Sequence, residues 1–318
     1  MKFLTSCLLF CFLITSLVVF SQPNQSVVTG SYPPRDRSYD KILNRGRQVK
    51  EWPNLREADI LWKKRIWEEI DLNQKMNFPL YYPLDEKVGR KSLWHIIVRG
   101  LQDDRLWAYR SKGVGATGAF DDEFTQKINL QDLKDVLCIP VDVGSIEDPL
   151  LLVPDADFDR VADIEDACPN VAGVFAEDPT QRGCPSVIEG RNIERYRLKE
   201  DWIFDKNLSV RYVRIIGIAP MARNSKGILE PLFWLHYDQC RYLFAEKESF
   251  NLSNDAFSGT FEDLFEMRHF TGNVIKEENI YDRDITGKNG YAQGIDALLE
   301  GERIKKEIFE YEHDLWNY

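Results

Sequence analysis

Histidine is scarce in this chain, with four in 318 residues, and none sits where catalysis or metal binding would want it. His95, His236, His269 and His313 make no HExxH and no paired-ligand spacing, which excludes a zinc site built on histidine. No nucleophile-elbow motif is present either. His95 therefore reads as a satisfied residue on a helix, and His236 with Asp238 has no nucleophile to serve. The stretch Gly113-Val-Gly115-Ala-Thr-Gly118 has the spacing of a dinucleotide loop. The preceding Arg105-Leu-Trp-Ala-Tyr-Arg110 is not a buried parallel strand, and no βαβ alternation surrounds it, so a plain loop is the better reading. Positive charge is in deficit as well: 41 Lys and Arg stand against 52 Asp and Glu, a net −11 that argues against nucleic acid as a general partner. Beyond Phe20 no run approaches the roughly 18 apolar residues of a spanning helix. There is no internal repeat. No catalytic residue and no small-molecule substrate is expected.

What is present begins with Lys2 and an apolar run from Phe3 to Phe20, followed by Ser21 and Gln22. This fits a secretory signal peptide over 1–21, and hence export to an oxidising compartment. Residues 22–55 are polar, rich in Pro, Arg, Asn and Ser, and lack a period that buries a face, so they read as an extended strap or a disordered arm. Within the remaining chain, Cys168 and Cys184 are the natural disulfide pair, flanked by Pro169 and Pro185. Cys138 and Cys240 lie in apolar surroundings that suit buried thiols, with a bridge between them as the alternative.

Hydrophobic spacing organises the rest. Ile60, Ile66, Trp67 and Ile70 suggest a helix over 57–75, ended by Asn77-Phe78-Pro79. A second helix runs through Leu93, Ile96, Ile97 and Leu101, and a short third over Leu130 to Leu137. Leu208 to Tyr212 alternates and Val213 to Ala219 is apolar, which reads as a strand pair, with Leu232 to Tyr237 as a further strand. Thr260 and Asp263 form a helix-start box for 261–270. Ile295, Leu298, Leu299, Ile304, Ile308, Tyr311 and Leu315 mark a closing amphipathic helix. The expected class is α+β, with helices flanking a small, mostly antiparallel sheet. Among eight tryptophans, Trp52 and Trp316 stand in polar surroundings near the ends and read as interface anchors.

The acidity is local. Between Asp142 and Gly190 twelve acidic residues face only Arg160 and Arg182. Asp155, Asp157, Asp159, Asp163 and Asp166 take positions 1, 3, 5, 9 and 12 of a loop in which Val161 offers its carbonyl at position 7, the oxygen spacing of a calcium site. Arg160 occupies position 6, where such loops want glycine, and Asp166 is shorter than the usual glutamate. Weak affinity, roughly 10⁻⁴ to 10⁻³ M, is the expectation. Through this ladder, Asp166-Ala-Cys168-Pro169, Gly173 and Gly183-Cys184-Pro185, the segment resembles a thrombospondin type 3 repeat. The resemblance implies calcium and a Cys168–Cys184 bridge, contributing roughly 3 kcal/mol by the loop-entropy model.

The flanking sequence carries a second resemblance. Leu61-Trp-Lys-Lys-Arg-Ile-Trp-Glu-Glu-Ile-Asp-Leu-Asn-Gln-Lys-Met-Asn-Phe-Pro-Leu-Tyr-Tyr-Pro83 is similar to the signature of the GldN/PorN family. So are Leu198 to Asp205, Val213 to Pro220, Pro231-Leu-Phe-Trp234, Phe261 to Phe265, Leu298 to Lys305 and His313 to Trp316. Membership implies a non-enzymatic, ring-forming periplasmic subunit of the type IX secretion and gliding machinery. The implied partners are an outer-membrane lipoprotein like GldK or PorK, an inner-membrane-anchored component like GldM or PorM, and further copies of the chain. On this reading 56–141 and 191–318 are the α+β core, and 142–190 is an acidic insertion. The rival classes are a calcium-binding envelope adhesion or linker module, for which the ladder speaks, and an exported hydrolase.

Overall fold

The computed structural model describes residues 48–85, 90–112, 121–137, 188–224, 227–250, 259–286 and 290–315. The export segment, most of the arm, the Gly113–Gly118 loop, Cys138, the acidic segment and Trp316 lie outside them, as do the whole Asp155–Asp166 ladder, Cys168 and Cys184.

Among the described residues seven strands form one sheet: β1 (Ile60–Asp71), β2 (Ala108–Arg110), β3 (Ile193–Asp205), β4 (Val210–Arg223), β5 (Leu229–Pro231), β6 (Phe233–His236) and β7 (Asn273–Glu277). Their order is β2-β6-β4-β3-β1-β7, with β5 on β4, and every pairing is antiparallel. The helices are α1 (Phe78–Tyr81), α2 (Leu93–Gln102), α3 (Leu130–Leu137), α4 (Tyr237–Glu246), α5 (Phe261–Glu266) and α6 (Ile295–Leu315). The class is α+β, as expected, but the sheet is larger than expected.

Two strands explain the difference. The segment read as a helix over 57–75 is β1, whose Trp62, Lys64, Ile66, Glu68 and Ile70 share one face of the pleat. The alternation is hidden in the sequence because inward positions carry Lys64 and Glu68, charges that are matched only by residues distant in the chain. Likewise Leu208–Ala219 is not a strand pair. Its residues from Val210 onward form a single strand, β4, and the partner is the upstream, charge-rich β3. The turn between them is held by the Asp205 carboxylate, which accepts from the Asn207 and Leu208 amides, while Ser209 takes a left-handed conformation.

Both helical layers sit on the same face of the sheet. Ile66 packs in a cluster with Val274, Ala297, Ile304 and Ile308, which seats α6. Ile70, four residues on and hence on the same face, belongs to the larger core with Tyr196, Leu198, Ile218 and Phe233 under α2, α4 and α5. Gly100 of α2 lets that helix close on α4, since a Cβ there would stand 2.5 Å from a Leu243 methyl. On the opposite face Trp67, Ala219, Trp234 and Ile275 make a small apolar patch. Phe124 caps it, in edge contact with Tyr109 and Trp234 and directly over Gly217, where any side chain would collide with the ring.

Trp52 does not stand out as an exposed anchor. It is half-buried and stacks on Tyr237, takes the guanidinium of Arg241 at 4.3 Å from its ring centroid, and donates to Glu266 at 3.2 Å. The Lys50 carbonyl accepts from Arg241 and the Pro53 carbonyl from Arg214, so residues 50–53 strap the start of α4 to β4.

Candidate functional site

Most charges on the sheet are committed to one another. Under the helices, Arg268 donates to Glu200 at 2.7 Å and to Glu68 at 2.6 Å, and Lys305 of α6 reaches Glu68 at 3.0 Å. Glu200 is fully buried and Glu68 nearly so. Burial raises the Glu200 pKa above its ordinary 4.5, against the pull of Arg268. Two acids and two bases thus balance in an apolar setting, which ties α5 and α6 to the sheet. On the other face Arg65 makes a two-pronged contact with Asp201, and Glu69 accepts from Arg195 and Arg197. Burial works against the Asp201 carboxylate, but the Arg65 hydrogen bonds win and hold its pKa below the ordinary value. Lys199 and Lys276 stand over the Trp67 ring, whose indole donates to Asp122 at 2.6 Å. These are structural pairings, with little left over for a ligand.

The turn after α2 differs. Leu101 accepts from the Asp104 amide and Gly100 from the Arg105 amide, a Schellman ending whose left-handed position is filled by Asp104 (φ 53°) where glycine is usual. The same ending closes α5, with Arg268 at φ 52° aimed into the buried ion network. At the α2 turn the side chain instead lines the surface. Asp104, Arg105, Trp107, Asp238, Gln239, Tyr242 and Leu243 border an open cleft of about 410 Å³. Trp107 forms a blade between this cleft and a smaller hollow of about 230 Å³ that ends on Lys127 and Leu133. The ammonium of Lys127 covers one face of the indole at 3.9 Å. Trp107 is 43% exposed and Tyr242 68%, so both rings present apolar surface at the cleft. Arg105 is paired with Glu246, so the carboxylates of Asp104 and Asp238 set the charge of the cleft. Two aromatics beside two acids can receive a cationic side chain, through the ring faces and through ion pairing.

The histidines are placed as the sequence suggests. His95 bonds the Ser92 hydroxyl at 2.6 Å on the N-terminal turn of α2. His236 packs edge-on against Phe124, whereas Asp238 lines the cleft. Among the described residues no cluster of His, Cys, Asp and Glu could hold a metal ion. Cys240 is a buried, unbridged thiol whose pKa is pushed up by burial, and Cys138, its alternative partner, lies outside the described residues. Sequence reasoning missed the cleft altogether. Trp107 was visible only as one tryptophan among eight, and Tyr242 stands on a different helix.

Fold and cleft define an α+β domain whose accessible chemistry suits contact with another protein. Compared with known families, residues 55–317 match the model described as gliding motility associated protein GldN, which covers most of the sequence. The chain belongs to the GldN family, and is thus a component of gliding motility and type IX secretion. No curated protein matches it. No helix among the described residues is long and apolar enough to cross a membrane.

Proposed function

We propose that this chain is a non-enzymatic structural subunit of the periplasmic ring of the type IX secretion and gliding machinery. In this role it assembles with an outer-membrane lipoprotein of the GldK/PorK kind and meets a GldM/PorM-like component anchored in the inner membrane. The observation that carries the reading is the family match over 55–317. The Trp107–Tyr242 cleft supplies the contact, taking a basic segment of a partner between two rings and two carboxylates. Trp107→Ala with Tyr242→Ala should abolish co-purification of the lipoprotein and secretion of the system's substrates, while circular dichroism and melting stay unchanged. Normal co-purification would remove the cleft from the interface, and normal secretion after clean deletion of the gene, with no paralogue present, would sink the ring reading.

The acidic segment adds a separate proposal. Asp155, Asp157, Asp159, the Val161 carbonyl, Asp163 and Asp166 bind one calcium ion weakly, in a loop followed directly by a Cys168–Cys184 bridge. Titration calorimetry of the exported form should give calcium heat that Asp157→Ala removes, and a silent parent protein would end the claim.

A further inference from the structure

Helix α6 carries two seams. Its inner seam, Ala297, Gly301, Ile304 and Ile308, faces the sheet, and Gly301 lies so close to the Val274 carbonyl that a Cβ would stand 2.7 Å from the oxygen. Directly opposite, by the 100° step of a helix, run Ile295, Leu299, Glu302, Lys306, Phe309 and His313. Their spacing alternates four and three, the repeat of a coiled-coil seam. Ile295 is 75% exposed, and Leu299 and Phe309 are each 62% exposed. A surface helix ordinarily shows one apolar stripe, already buried here on the inner seam, so exposed Ile295, Leu299 and Phe309 flanking the Glu302 and Lys306 charges at packing spacing call for a second neighbour.

The order of residues along this outer seam says which neighbour. It is complementary to itself when reversed about a point near Ile304. In an antiparallel pairing of two α6 helices, Leu299 of one copy meets Phe309 of the other, and Glu302 meets Lys306, each contact occurring twice. Ile295 and His313 fall opposite each other at the ends. Lys306 also pairs with Glu310 of its own chain at 3.4 Å, but both groups are exposed, so this pair costs little to share.

We infer that the outer seam of α6 docks a second copy of this chain through a two-fold, antiparallel helix pair. Such a contact is isologous and closes at two, so it is distinct from the head-to-tail contact of a ring. It stands on this helix alone and does not need the secretion reading. A single helix pair buries less than about 1,200 Å², the range of weak association.

Sedimentation velocity of the exported form over a rising concentration series should show reversible dimers. Leu299→Glu and Phe309→Glu should each weaken the dimer about a hundredfold, because two-fold symmetry counts each change twice. Glu302→Lys alone and Lys306→Glu alone set like charges against each other and should also weaken it, whereas the double exchange should restore parental association. All four positions are exposed, and circular dichroism checks that each variant is folded. A parent that stays monomeric throughout, dimers indifferent to Leu299→Glu and Phe309→Glu, or a double exchange no better than the singles would each overturn the inference.

Discussion

At the scale of single residues, the ion network around Glu200 has the largest consequence. Arg268 sits in a left-handed conformation that disfavours any side chain, yet it is the group that meets both Glu68 and Glu200. Arg268→Ala should cost about 3–5 kcal/mol near neutral pH, since it strands buried carboxylates. The pH dependence has a definite sign. The Glu200 pKa is already raised by burial and rises further without Arg268. A carboxyl raised in the folded state destabilises least below its unfolded value of 4.5, and increasingly as pH climbs through its folded value. The deficit of the variant should therefore shrink between neutral pH and about pH 5, read as the change in urea midpoint. A deficit independent of pH would mean that lost packing, not stranded charge, is what the substitution costs. None of this was legible in the sequence, where Glu68 and Glu200 were two acids among many and Arg268 had no visible partner.

At the scale of elements, legibility followed how locally each signal is satisfied. The box at Thr260 and Asp263 appears as read: the Thr260 hydroxyl accepts from the Asp263 amide, and the Asp263 carboxylate accepts from the Thr260 amide. Thr260→Ala should cost about 1 kcal/mol, measured by denaturant unfolding, and no change would mean that the carboxylate alone suffices as a cap. Helices α2, α3 and α6 were equally legible, because their periods are complete within one segment. The end of α5 was not, since its Schellman turn stops it at Glu266, short of the 270 that spacing suggested. Strands β1 and β3 failed for another reason. Their inward faces hold Lys64, Glu68 and Glu200, which break a pattern of two when polarity is taken as a sign of solvent.

At the scale of the whole molecule, residues 50–53 take the first of the two forms read for the 22–55 segment, a strap. Trp52→Ala removes a stacked ring, a cation contact and a hydrogen bond at once. It should destabilise the domain by about 2–3 kcal/mol in urea unfolding, whereas a purely intermolecular anchor would leave stability untouched. The cleft between Trp107 and Tyr242 also belongs to this scale, because its walls come from the end of α2 and from α4, which are brought together where Gly100 admits Leu243.

The sequence by itself determined the family, the α+β class and the periodic helices, since these depend on residue identity and on spacing within one segment. Tertiary structure alone decided the size of the sheet, the strand character of 60–71, the inward role of Trp52 and the two buried acids. Each of those turns on a partner far along the chain, and a charge is read as solvent-facing until the opposite charge that meets it has been placed.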